Sequence, residues 1–181
     1  MVDKEKKLIR KQIRELKKKY SLEEKKTKSK RIFEKVEQLE SFKKAQIVLA
    51  YWSMSDEVHT HEFVARWYKE KTFLLPVVKG DVLELRYFSG TQNMIEGAAF
   101  SIEEPTGEVF TRNHKIDFIV VPGVAFDNNK NRLGRGKAYY DKLLTTTHNA
   151  TKAGVCFDFQ LIKSVPVDEY DVKMDMVVTD A

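Results

Sequence analysis

Asp117–Val121 (DFIVV) is the stretch that most restricts the fold, because its apolar residues follow one another with no polar face. A strand with one face in water alternates, so a continuous run belongs to a strand covered on both sides. Gln46–Tyr51 (QIVLAY) reads the same way. Thr72–Val78 (TFLLPVV) is a third strand, with Pro76 expected to mark its end. Helical patterns surround these runs. Lys4–Lys19 places Leu8, Ile9, Ile13 and Leu16 on one narrow stripe. Ser21-Leu22-Glu23-Glu24 reads as a capping box that opens a second helix, which runs to about Leu39 and turns Ile32, Phe33, Val36 and Leu39 inward. A third helix, capped by Thr60, buries Phe63, Val64, Trp67 and Tyr68. Strands alternating with helices imply a mostly parallel sheet with helices on both faces, an α/β fold.

Val82–Phe88 alternates and suits a half-exposed edge strand, Ser89–Glu108 reads as irregular, and Ala153–Phe157 and Met174–Thr179 are short strands. At 181 residues the chain suits a single domain, residues 1–181, with residues 1–40 as helices packed on its side. Lys4–Arg31 holds 14 Lys/Arg against 4 Glu, although the whole chain carries only +5. Such a stretch can bind nucleic acid, but Tyr20 is its only aromatic for base stacking, so a solvated basic helix face is expected instead. No apolar run approaches the ~18–20 residues that span a bilayer, and the N-terminus lacks a secretory h-region. With Cys156 as the one cysteine, no intrachain disulfide can form. A monomeric cytoplasmic protein, with no nucleic-acid or membrane partner, is the expectation.

In open parallel sheets, ligands bind beyond the carboxyl ends of the strands. Trp52–Glu57, Pro76–Gly80 and Pro122–Gly136 should therefore line one crevice. The last belongs to Val121–Leu144 (VPGVAFDNNKNRLGRGKAYYDKLL), which leaves a buried strand, crosses a loop and enters a helix. Arg132, Arg135 and Lys137 are spaced there by Gly134 and Gly136, and Asp141 follows four residues after Lys137, on the same helical face. Glycine amides, a helix N-terminus and three cations form an anion site, and a nearby carboxylate suits a metal. This is the equipment of polyphosphate chemistry with Mg²⁺. It matches no P-loop, since Asn131 and Ala138 stand where Gly and Ser/Thr are needed, and no dinucleotide fingerprint, since Tyr139 replaces the third glycine. Asp127, Asn129 and Asn131 mimic the start of a calcium loop, but Arg132 replaces the turn glycine, so a turn is expected. His59 and His61 read as part of a surface loop, and Cys156 as a core residue.

NRLGRGKAYYD, preceded by VVPGVAFD, closely resembles the signature of the 5-formyltetrahydrofolate cyclo-ligase family, also called methenyltetrahydrofolate synthetases. KKLIRKQIREL resembles that family's N-terminal ATP-contacting segment, YWSMSDEVHT its folate-contacting segment, and VPVDEYDVKMD its C-terminal acidic segment. Four such segments in order cover nearly the whole chain. Two departures are visible. Ala138 stands where the family carries the middle glycine of G-K-G-Y-Y-D, and Phe100 stands where tryptophan is found in relatives.

The resemblance implies a three-layer α/β sandwich with a mostly parallel central sheet, similar to ribose-5-phosphate isomerase and CoA-transferase-like domains. It implies MgATP-dependent conversion of 5-formyltetrahydrofolate to 5,10-methenyltetrahydrofolate, with release of ADP and phosphate, through a phosphorylated formyl (imidate) intermediate. By matched position, Lys6, Lys7, Leu8, Ile9 and Arg10 would meet ATP from the first helix. Arg132, Leu133, Gly134, Arg135, Gly136, Lys137, Ala138, Tyr139 and Tyr140 would wrap its phosphates, with Arg135 and Lys137 catalytic. Trp52, Glu57 and Phe100 would bind the folate together with Arg135–Tyr139, Glu57 accepting from the pterin N–H groups. Asp141 and Asp171 would hold Mg²⁺, with Asp175 as the alternative to Asp171.

Overall fold

The computed structural model describes residues 1–98 and 101–181, so Phe100 lies outside the described residues. In chain order the elements are α1 (Val2–Lys17), α2 (Leu22–Gln38), α3 (Glu40–Lys44), β1 (Ile47–Leu49), α4 (His61–Trp67), β2 (Thr72–Lys79), β3 (Val82–Tyr87), β4 (Met94–Glu96), β5 (Glu103–Pro105), β6 (Val109–Phe110), β7 (Phe118–Val121), β8 (Ala125–Asp127), β9 (Arg132–Leu133), α5 (Tyr139–Leu144), β10 (Thr151–Val155), β11 (Leu161–Ile162) and β12 (Met176–Val178).

The main sheet has the order β12-β10-β7-β1-β2-β3-β6. From β12 to β2 every neighbouring pair is parallel, and β3 turns antiparallel to both β2 and β6. The apolar runs occupy its centre, with β1 paired to β2 and β7. Their side chains divide by alternation. Val48, Phe73, Leu75, Phe118 and Val120 join Ile32, Phe33, Val36, Phe42 and Phe63 in one buried layer. Leu49, Leu74, Ile119 and Val121 join Phe126, Leu143 and Leu144 in the other. The α/β expectation with a covered, mostly parallel sheet therefore holds. Cys156 lies in the second layer, fully buried, and burial pushes its thiol up to about 12.

Four local expectations are corrected. Pro76 does not end β2, which continues to Lys79 opposite β3. β1 stops at Leu49 and pairs no further than Leu74, so beyond that point one edge of β2 has no ladder donor to lose. β3 is not the sheet's edge, because β6 pairs with it. Ser89–Glu108 is not wholly irregular, because β4 and β5 form a short antiparallel pair within it. Thr60 stands at the start of α4 but makes no side-chain cap. Its hydroxyl instead donates to Tyr51 O and accepts from Ser53 N, fixing the exit of β1. The capping box at α2 forms as read, with Glu24 N donating to Ser21 Oγ at 3.1 Å and Ser21 N to Glu24 Oε2 at 2.6 Å.

A small sheet, β11-β8-β9, stands beside the main one. Its turn is the predicted Asp127–Asn131. Buried Asp127 accepts from the backbone N–H groups of Asn129, Asn131 and Val165 and from Asn131 Nδ2. The stripe of α1 packs here rather than on the main sheet: Ile9, Ile13 and Leu16 meet Ala125, Leu133 and Val165.

Candidate active site

From β1 the chain moves to β2 on one side, while β7, β10 and β12 build out on the other. The crevice outside the carboxyl ends of β1 and β7 is thus a switch point, where this kind of sheet binds ligands. A cleft of about 650 Å³ lies there. All three predicted stretches line it, through Trp52, Met54 and Glu57, through Pro76 and Val78, and through Pro122, Gly123 and Arg132–Gly136, although the middle one is the end of β2 rather than a loop. α1 adds Asp3, Lys6 and Arg10, and the C-terminal segment adds Asp168, Tyr170 and Asp171.

The loop from Arg132 to Ala138 divides into two parts. Arg132 and Leu133 form β9 and are 6% and 1% exposed. Arg132 donates to Pro122 O at 3.1 Å and to Asp141 Oδ2 at 3.3 Å, and its guanidinium lies 5.6 Å from the centre of the Tyr140 ring. Beyond Leu133 the loop leaves the sheet. Arg135, Gly136, Lys137 and Ala138 are exposed and line the cleft. Gly136 has φ +103°, a conformation side chains rarely adopt. Ala138 has φ 56° and ψ 16°, the left-handed region that glycine occupies freely. The family departure thus falls at a position where glycine would be unstrained. It also separates Lys137 from α5, which begins at Tyr139, so Lys137 and Asp141 do not share a helical face as the spacing suggested. α5 has six residues, and so short a helix offers little macrodipole; the cations supply most of the positive field.

Two ion clusters tie α1 to the walls of the cleft. Near its start, Lys6 is buried and donates to Asp168 Oδ2 at 2.8 Å and Asp171 Oδ2 at 2.7 Å. Burial pulls the Lys6 pKa down, but these carboxylates outweigh it and leave the ammonium above its ordinary value. Arg10 Nε donates to Gly134 O at 2.9 Å and reaches into the glycine loop. At its end, Lys17 lies 3.4 Å from Asp56 Oδ2. Arg135 Nη2 reaches Asp56 Oδ1 at 3.2 Å and Glu57 Oε1 at 3.1 Å. Burial lowers the Arg135 pKa, and the Glu57 and Asp56 charges more than restore it. Lys137 differs: it is exposed, and among the described residues no carboxylate lies within salt-bridge distance of it.

Across the cleft, Trp52 is 9% exposed and donates its indole N–H to Glu103 at 3.1 Å. His61 stacks on it with ring centroids 3.7 Å apart and planes 9° apart. The His59–His61 stretch is therefore packed against Trp52 and partly buried rather than a free surface loop. Burial lowers the pKa of both histidines, so both stay neutral more readily than in water. Glu57 Oε2 accepts from Met54 N at 2.8 Å, which fixes the carboxylate at the mouth of the loop. Val78, Leu83, Pro76 and Ile102 give the cleft an apolar side.

Of the sequence-predicted residues, Lys6, Arg10, Trp52, Glu57, Arg132–Asp141 and Asp171 all line the cleft. Lys7 and Leu8 do not; both are exposed on another side of α1, and Ile9 packs against the small sheet. A helix turns about 100° per residue, so five consecutive residues cannot share one face. Asp175 also lies away from the cleft, where its carboxylate accepts from Lys152 N at 2.7 Å. Sequence reasoning missed Asp3, Lys17, Asp56, Asp168 and Tyr170. Lys6, Arg10 and Lys17 share a helical spacing, and that was the available signal for Lys17.

Residues 2–180 match the model of the 5-formyltetrahydrofolate cyclo-ligase family. The probable 5-formyltetrahydrofolate cyclo-ligase of Schizosaccharomyces pombe is 30% identical over 167 residues, covering 82% of this chain and 81% of that protein. The 5-formyltetrahydrofolate cyclo-ligase of Escherichia coli K12 is 31% identical over 144 residues, covering 75% and 78%. The solved structure of Aquifex aeolicus 5,10-methenyltetrahydrofolate synthetase superimposes with a TM-score of 0.86 at 35% identity, over 97% of this chain and 89% of that one. The match runs through α1, the β1 exit, the glycine loop and the acidic C-terminal segment alike, and the chain belongs to the 5-formyltetrahydrofolate cyclo-ligase family.

Proposed function

We propose that the chain cyclises 5-formyltetrahydrofolate to 5,10-methenyltetrahydrofolate with ATP in the switch-point cleft, the loop Arg132–Tyr140 meeting the phosphates and the β1 exit meeting the pterin. The observation that carries this reading is one cleft whose cationic loop, with exposed Arg135 and Lys137, faces a fixed carboxylate, Glu57, and an aromatic wall, Trp52. At about 650 Å³ it falls within the ~300–1,000 Å³ typical of small-molecule sites.

The chemistry explains why such a site needs cations more than a nucleophile. A formyl oxygen on nitrogen is a poor leaving group. Its attack on the γ-phosphorus releases ADP and turns that oxygen into a phosphate ester. N10 then attacks the formyl carbon and gives its proton to solvent, the ring closes, and phosphate departs with the former formyl oxygen. Lys137 and Arg135 stabilise the charge that spreads over the transferred phosphoryl oxygens. Lys137 has no competing carboxylate among the described residues, so its charge is available to a ligand. Arg10 and Lys6 approach from α1 on the ATP side, and Arg132 acts through Asp141, which it holds in place. Glu57 accepts pterin N–H groups, and Trp52 and Tyr139 line the folate pocket.

Magnesium fits the donor set, since it is commonly held by one or two carboxylates plus phosphate oxygens, and Asp141 and Asp171 both line the cleft. Among the described residues no cluster of three His, Cys, Asp or Glu could hold the ion without those phosphates. Bound there, Mg²⁺ would offset phosphate charge. The single cysteine, buried as a thiol, supports a reducing cytoplasmic setting. No described helix is long and apolar enough to cross a membrane.

Purified protein given MgATP and 5-formyltetrahydrofolate should develop the near-ultraviolet absorbance of methenyltetrahydrofolate with one ADP per product. Folded protein that forms no product would end this reading, and product formed without ATP would end its phosphoryl-transfer step.

A further inference from the structure

Lys17 sits in the last turn of α1, about three turns from Lys6 at the ATP side, and the chemistry above does not use it. It is 6% exposed, and its ammonium has one partner among the described residues, Asp56 Oδ2 at 3.4 Å. Asp56 also accepts from Arg135 Nη2, at 3.2 Å to Oδ1 and 3.4 Å to Oδ2. That same nitrogen reaches Glu57 Oε1 at 3.1 Å. One guanidinium nitrogen is therefore gripped by two adjacent carboxylates, while Nε and Nη1 keep no protein partner among the described residues. Two cations balance two anions across four residues drawn from α1, the β1 exit and the glycine loop. Arg135 needs such a grip. It stands between Gly134 and Gly136, its side chain is 48% exposed, and a free arginine on so permissive a backbone would occupy many rotamers.

We propose that Asp56 is a positioning residue for the reaction: it anchors Arg135 between the pterin-facing carboxylate of Glu57 and the phosphate loop, and Lys17 fixes Asp56 for that task. The inference rests on the function proposed above. When pterin N–H groups engage Glu57, Asp56 remains as the partner that keeps Arg135 in register with the transferred phosphoryl group. Burial holds the Lys17 pKa below its ordinary value, and the Asp56 charge opposes that shift, so the lysine's charge depends on the same carboxylate.

The test separates anchoring from simple charge balance. Asp56→Asn removes the anchor and leaves Lys17 buried without a counter-charge; Asp56→Asn with Lys17→Met removes both charges together. Steady-state kinetics with both substrates and thermal melts are measured for wild type and both variants. Displacing a catalytic group by about an ångström costs on the order of 100-fold, so Asp56→Asn should lower kcat roughly 10- to 100-fold while KM for ATP stays within about 2-fold. The double variant should regain the wild-type melting temperature but not kcat. A double variant that regains kcat would reduce Asp56 to a counter-ion for Lys17 and overturn the proposal. So would an unchanged kcat in both variants. Wild-type protein that makes no product would remove the parent reading and this inference with it, whereas active wild type with unaffected variants removes this inference alone.

Discussion

Arg132 and Arg135 stand three residues apart in one basic loop, yet the fold treats them in opposite ways. Arg132 lies in β9, buried, with Nη1 and Nη2 of its guanidinium donating to Pro122 O and Asp141. Arg135 lies beyond the strand, half exposed, holding its neighbours by one nitrogen. The difference is where the ladder ends. As far as Leu133 the backbone is paired to β8, and Leu133 is packed against α1. From Gly134 onward the chain is unpaired, and its cations face the cleft. A row of cations in a sequence thus separates into scaffold and ligand-facing groups at a boundary that pairing sets.

The largest effect that can sharpen this contrast is expected at Lys137, the extreme of the exposed class. Lys137→Ala should lower kcat on the order of 10²–10³-fold. Because the side chain is exposed and makes no hydrogen bond or ion pair among the described residues, the melting temperature should move by less than about 2 °C. A protein that unfolds instead would place Lys137 with Arg132. Arg132→Met should behave inversely, losing about 2–4 kcal/mol in urea denaturation, because Asp141 and Pro122 O lose their partner inside the protein. Normal stability with lost turnover would break the division. Lys6 tests the middle ground, since it is buried like Arg132 but, like Arg135, is held by two carboxylates at the cleft. Lys6→Met should raise KM for ATP roughly 10-fold and cost about 1–2 kcal/mol, as Asp168 and Asp171 are left without their shared cation. A change in only one of these would assign Lys6 to one class. Ala138→Gly is the mildest. Relief of the left-handed conformation, worth about 1–2 kcal/mol, is offset by about 0.4–1 kcal/mol of added unfolded-state freedom. A net gain of between about 0 and 1.6 kcal/mol is expected, and a loss would mean that the methyl group makes a contact outweighing the strain.

The parts of the fold legible in the sequence were those written in local pattern. DFIVV and QIVLAY have no polar face, and they became the two central strands. Ser21 and Glu24 carried their cap in the sequence and formed it. Pro76 misled, because proline's cost depends on whether a neighbouring strand wants its N–H, and β1 is too short to reach that far. In the site, the glycine loop and the Trp52–Glu57 loop were legible because turn residues and charges stand out in any window. Lys7, Leu8 and Ile9 stand with Lys6 and Arg10 in the linear motif but lie on other faces of α1, because a linear motif has no faces, whereas a helix does. Asp56 and Lys17 escaped notice because their roles come only from each other, 39 residues apart.

By itself the sequence determined the covered parallel sheet, the crevice beyond its carboxyl ends, and which loops would meet there, since periodicity and turn chemistry act over a few residues. Only the tertiary structure decided which charges are free. Whether a cation is buried against a carboxylate or left facing a cleft depends on partners that long-range packing brings within about 4 Å, the reach of an ion pair. Four cations thus have distinct environments in one cleft: Lys6 between two aspartates, Arg132 beneath the loop, Arg135 held at its edge, and Lys137 without a partner among the described residues.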